Sequence, residues 1–195
     1  GMLHARALLL NGRASDAADM YLAAGRPADA ANALDIAMQK DKAREISRVS
    51  AEIARRAADA FSTPDRPRFV AGSIGPTTKT ISVTGGVTWD ELAASFEEQA
   101  LGLIEGGVDF LLVETAQDTL NIKAALEGID RANAALGTDV PVAVQGTVET
   151  MGTLLAGQDV EALYVSLEHR NLLWIGLNCA TGPDFMTDHI RTLAG

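Results

Sequence analysis

Four short apolar runs, rich in β-branched residues and set about thirty to forty residues apart, constrain the fold of this chain more than any other feature. They are FVAGSI at 69–74, FLLVE at 110–114, VPVAVQ at 140–145 and LWIGLN at 173–178. Each is apolar nearly throughout, as a strand must be when both of its faces are buried, and such strands belong to parallel sheets covered by their own crossover helices. The longer segments between the runs are amphipathic at helical period, so the rhythm is strand, helix, strand, helix. Two α/β architectures satisfy it: part of a (β/α)8 barrel, or an open doubly wound sheet.

The intervening helices announce their ends. In Thr88-Trp89-Asp90-Glu91 the threonine can cap the first turn while the glutamate reaches back to it, a capping box; Leu92, Phe96, Ala100 and Leu103 then form one stripe that Gly106-Gly107 stop. A second helix is expected from Asp118 to Gly137 with Ile122, Ala125, Leu126 and Ile129 inward, and a third after Asp159 with Val160, Leu163 and Leu167 on one face. Residues 41–61 read as a long helix whose inward face is Ile46, Val49, Ile53, Ala57 and Phe61, leading into the turn STPDRP at 62–67. Upstream the character changes. Residues 14–40 are Ala-rich, with the pattern of a helical hairpin broken at Gly25-Arg26-Pro27, and LLLNG at 8–12 suggests a first strand and turn. The expected organisation is a divergent helical N-terminal segment over 1–40 and a partial barrel domain with parallel strands over 41–195.

Composition narrows the partners. At 195 residues, 47% hydrophobic and 22% charged, the chain has the makeup of one ordered globular domain. Its 26 acidic and 16 basic residues leave a net charge of -10, which repels phosphate backbones and anionic headgroups, so nucleic acid is not an expected partner. No run approaches the ~20 apolar residues that cross a bilayer, and no signal-peptide succession opens the chain, which points away from the membrane and to a cytoplasmic location. Cys179 is the only cysteine, so this chain alone can build neither an intramolecular disulfide nor a multi-cysteine metal site.

In a parallel α/β fold the loops after the C-terminal strand ends form the site. After the first run come Gly75-Pro76-Thr77, after the second Glu114 to Asp118, after the third Gly146-Thr147, and after the fourth Asn178-Cys179. Each has a plain structural reading as well. Asp118 serves as a helix N-cap with no other role; Gly75 can simply make a turn; Asn178 and Thr147 can satisfy backbone groups. Glu114, a carboxylate at the end of an apolar strand, needs a partner in either reading.

The segments GSIGPT at 72–77, LLVETAQDTLNIKAA at 111–125, GTLLAG at 152–157 and GLNCATGP at 176–183 together resemble the homocysteine S-methyltransferase family, in particular the homocysteine-binding module of cobalamin-dependent members. The resemblance covers roughly residues 41–195 and implies a (β/α)8-type barrel that binds homocysteine as a zinc thiolate, the nucleophilic form, for methyl transfer to give methionine. It implies Glu114 as the receiver of the substrate ammonium, Asp118, Gly75, Thr77 and Asn178 as further substrate-binding positions, and Cys179 as a zinc ligand. The methyl donor it implies, methylcobalamin, sits on a separate module, alongside a folate module. His4, His169 and His189 match no metal position of the family, and His189 is the only one considered as a helper to Cys179.

Two departures qualify this. The family uses three cysteines and this sequence holds one; the family's first two strand-end motifs have no close counterpart before residue 69. A homocysteine methyltransferase domain therefore stands beside a second reading, a truncated barrel fragment or interaction module without a complete zinc site. An unclosed sheet also exposes strand edges, from which a homodimer, or pairing with another chain, is expected.

Overall fold

The computed structural model describes residues 27–194, with side-chain surroundings from residue 42 onward. Its elements are α1 (Pro27–Phe61), β1 (Ala71–Ile74), α2 (Trp89–Glu105), β2 (Phe110–Ala116), α3 (Thr119–Leu136), β3 (Val142–Gly146), α4 (Val160–Leu167), β4 (Ile175–Leu177) and α5 (Pro183–Ala194). The strands form one parallel sheet in the order β1-β2-β3-β4. A doubly wound sheet reverses its strand order at a switch point; this one does not, and consecutive parallel strands backed by consecutive helices are the barrel arrangement.

Each of the four strands expected between residues 69 and 178 is present, and the capping chemistry read from the sequence sets the helix ends. The Glu91 carboxylate accepts the Thr88 N–H at 3.0 Å while the Thr88 hydroxyl accepts the Glu91 N–H at 3.3 Å. Asp118 and Asp159 cap α3 and α4, and Gly137 closes α3 at φ 64 in the left-handed region. The helical stripes bury as expected: Leu92, Phe96, Leu103, Ile122, Leu126, Ile129, Leu163 and Leu167 join Ile74, Leu111, Val113 and Val144 of the sheet in a single core. The opposite sheet face carries Ala71, Ser73, Phe110, Leu112, Glu114 and Gln145, exposed or half-buried, and the buried Ala143. Phe110 and Trp174 meet edge to face across it, with ring centroids 5.2 Å apart. Among the described residues, one edge each of β1 and β4 pairs with no further strand.

Three points of the sequence reading are extended or corrected. The 41–61 helix is the C-terminal part of one 35-residue helix; LLLNG at 8–12 and the first part of the proposed hairpin lie outside the described residues. The inward face of α1 is also corrected, since Ile46 is 66% exposed and Phe61 76%, whereas Ala51 is 3% exposed. The reason lies in α2. A Cβ at Gly102 would stand 2.2 Å from the Arg44 carbonyl oxygen, and one at Gly106 would stand 2.5 Å from Ala51 Cβ. α1 thus lies directly on the α2 backbone, and only its small residues Ser47 and Ala51 fit there. Third, α5 was not anticipated, although Pro183 at its first position with Phe185, His189 and Leu193 is a helix signature.

Charged side chains fasten α1 to this seam. Arg55 bonds Asp109 at 2.7 Å, and the same carboxylate oxygen accepts the Val70 N–H at 2.6 Å, tying α1 to the approaches of β1 and β2. Arg44 pairs with Glu105, its Nε 3.0 Å from Oε2. That hydrogen bond holds the Glu105 carboxyl below the ordinary range, so folding disfavours its protonation. The resulting stability is complete above the usual carboxylate pKa of ~4.3 and is lost as pH falls through the lower folded value. Because both side chains are about a third exposed, the effect is at most about 1 kcal/mol. Thermal melts at pH 7 and pH 3 are expected to differ less for Glu105→Gln than for the parent chain; an equal difference would remove Glu105 from the acid response.

Candidate functional site

The C-terminal strand ends gather two polar groups on either side of β2. On the β1 side, the loop after Ile74 is pinned to the first turn of α3. Asn121 Oδ1 accepts the Ile81 N–H at 3.0 Å, its Nδ2 donates to the Lys79 carbonyl at 3.1 Å, and Asp118 Oδ2 accepts the Ser82 N–H at 3.2 Å. Thr80 Oγ1 accepts the N–H groups of Val83 and Thr84 at 3.1 and 3.0 Å, tightening the loop. Beneath it lies a small cleft of about 20 Å³, lined by Gly75, Pro76, Thr80, Glu114, Asp118 and apolar core residues. The Ser73 hydroxyl donates to Glu114 Oε1. This satisfies one carboxylate oxygen at the rim of the apolar cleft.

On the β4 side, Asn178 links three strand ends. Its Oδ1 accepts the Thr115 N–H at 3.0 Å and the Thr147 hydroxyl at 3.3 Å; its Nδ2 donates to Thr115 Oγ1 at 2.9 Å and to Cys179 Sγ at 3.2 Å. Cys179 is exposed and its φ is 62, followed by Ala180 at φ 46. Both are unusual for residues with a Cβ.

The expected site residues therefore fall into separate places. Gly75, Glu114 and Asp118 share the cleft; Asn178 and Cys179, with Thr147, form the second cluster. Thr77 lines neither, its hydroxyl donating to the Lys79 carbonyl within the loop. Asp118 is fully buried, with Oδ1 capping Leu120 N–H at 2.9 Å and Oδ2 on Ser82. A Cβ on Gly75 would meet no protein atom within 4 Å, so the space beside it is open. Sequence reasoning missed Ser73 and Thr115. A serine in an apolar strand one residue before its end was a usable signal for the first. Nothing local marked the second.

The donor set does not match the zinc site that the resemblance implies. Among the described residues no group of three or more His, Cys, Asp or Glu side chains is placed to hold a metal, and His189 lies against Gly152. Cys179 alone does not fit a zinc site, which takes at least three protein ligands.

A parallel sheet with consecutive strands, helices on one face and polar residues gathered at the C-terminal strand ends defines a partial barrel of the (β/α)8 type. Residues 18–195 match the family model for homocysteine S-methyltransferase. The chain belongs to the homocysteine S-methyltransferase family. It is 45% identical over 154 residues to methionine synthase of Mycobacterium leprae and 44% identical over 154 residues to that of Mycobacterium tuberculosis, covering 79% of this chain in each case. The match spans 13% of the length of each of these relatives. The apo crystal structure of the homocysteine methyltransferase MmuM from Escherichia coli shares the fold, with a TM-score of 0.64 at 21% identity over 79% of this chain and 57% of that one. No helix among the described residues is long and apolar enough to cross a membrane.

Proposed function

We propose that this chain is the homocysteine-binding part of a methyltransferase of the methionine synthase type. The observation that carries the reading is Glu114, a half-buried carboxylate at the end of an apolar strand, with a hydroxyl donor on one oxygen and a small cleft beside it. Such a group suits the ammonium of an amino acid. In this reading homocysteine lies across the end of β2, its ammonium on Glu114 and its sulfur toward Cys179. Gly75 leaves room for the backbone of the ligand and Thr77 shapes the same loop, while Asp118 contributes by holding the loop down. The methyl donor, methylcobalamin, and the folate and cobalamin modules belong to other parts of a longer enzyme. Cys179 would supply one ligand of a zinc site whose other ligands come from elsewhere in the longer enzyme, so thiol activation is not assigned to these residues alone. A second reading, a barrel fragment that folds without catalysing, is favoured by that single-ligand donor set.

Calorimetric titration of the 195-residue chain separates the two. L-Homocysteine is expected to bind more tightly than 4-sulfanylbutanoate, which has the thiol but no ammonium. Glu114→Gln keeps the shape and an acceptor for Ser73 but removes the charge, and is expected to weaken homocysteine binding by about 10- to 100-fold and erase the preference. Equal affinity for the two ligands in the parent chain, or no binding of either, leaves the fragment reading.

A further inference from the structure

At the point where the site begins, β2 carries one more residue than the strand beside it. Val113 pairs with Val144 and Ala116 with Gly146, so Glu114 and Thr115 together stand opposite Gln145, a β-bulge. Regular alternation would send one of the two to the helix-covered face. Instead Glu114 bonds Ser73 on the β1 side and Thr115 bonds Asn178 on the β4 side. The bulge is taken up at Thr115, whose φ of 56 is one that β-branched residues rarely adopt. Something must hold it there.

Asn178 does so with every hydrogen-bonding direction it has. A carboxamide offers two N–H donors and two lone pairs; here the donors go to Thr115 Oγ1 and Cys179 Sγ, and the lone pairs to the Thr115 N–H and the Thr147 hydroxyl. The Thr115 backbone N–H can only donate, which fixes the amide's orientation with Oδ1 toward it. A group so committed has nothing left to offer a substrate without releasing the bulge.

We propose that Asn178 is a positioning residue: by locking Thr115 in the left-handed conformation it sets Glu114 and Cys179 at the separation that homocysteine requires. The inference rests on the homocysteine reading and differs from a direct substrate contact by Asn178. It has a specific consequence. Glycine adopts the left-handed region without the Cβ penalty, so it can replace the lock rather than the ligand contact.

The test compares Asn178→Ala, Thr115→Gly and the double variant by homocysteine titration and by crystal structure, with circular dichroism to establish folding. N178A is expected to weaken binding by about tenfold or more, and the double variant to recover to within about threefold of T115G. In the N178A crystal structure residue 115 is expected to leave positive φ and Glu114 to leave Ser73, both returning in the double variant. A double variant as weak as N178A overturns the proposal, and so does a Glu114–Ser73 contact unchanged in N178A. If the parent chain binds no homocysteine but Glu114 shifts and returns as described, the positioning role stands and the homocysteine reading fails.

Discussion

Replacing Gly102 by valine is expected to lower the melting temperature of this chain by roughly 4–12 °C, the equivalent of about 2–3 kcal/mol. A Cβ at this position would lie 2.2 Å from the Arg44 carbonyl oxygen and 2.8 Å from Ser47 Cβ. The first of these is helix backbone, which cannot rotate aside as a flexible side chain can. α1 must therefore move off α2 as a whole, and the Arg44–Glu105 pair and the Arg55–Asp109 bond at the same seam stretch with it. The better helix propensity of any residue over glycine, at most ~1 kcal/mol, does not offset this. Gly75→Ala is the control, since its Cβ enters open space and its φ is not left-handed. Its melting temperature is expected to match the parent's. Scanning calorimetry of both variants decides, and a G102V melt like that of G75A would mean that α1 is not seated on α2 as described.

Asp118→Ala is expected to cost about 2–4 kcal/mol in denaturant unfolding. About 1 kcal/mol comes from the lost N-cap of α3 and the remainder from the Ser82 N–H left without its acceptor. Asp118→Asn retains an oxygen for the cap, and asparagine is as good a cap as aspartate, so its cost is expected to be smaller. What it loses is the acceptor for Ser82, because the amide nitrogen would face another donor. Hydrogen exchange at the Ser82 amide is therefore expected to accelerate in both variants, and capping of α3 to fail in the alanine variant alone. If D118N instead left Ser82 exchange unchanged while weakening homocysteine binding, Asp118 would be a direct substrate ligand rather than the anchor of the loop.

Much of the scaffold is legible locally because its signals are local. The capping box at Thr88 and Glu91, the caps at Asp118 and Asp159 and the stop at Gly137 each depend on residues within one turn. The four strands are legible because burial on both faces demands uninterrupted apolar runs. α1 was read wrongly on its inward face because it carries two stripes at helical period. The larger residues, Ile46, Val49, Ile53 and Phe61, give the stronger apolar signal, yet the partner surface at Gly102 and Gly106 admits only small ones. Which stripe turns inward depends on a helix some fifty residues away in the chain.

The site divides in the same manner. Glu114 and Cys179 were readable as strand-end residues within recognisable motifs, and the family follows from those motifs. Thr115 was not. Its importance comes from a bulge that exists only because β2 and β3 differ by one residue between paired positions, and from an amide on a strand end sixty-three residues further on. The sequence by itself determined the parallel α/β rhythm, the helix ends and the membership of the homocysteine S-methyltransferase family, since all three rest on short-range patterns. The tertiary structure decided which face of α1 is buried, how Asp118 is used and how Asn178 holds the strand ends together. Those outcomes depend on which distant backbone groups come within hydrogen-bonding or contact distance, and no local pattern encodes that.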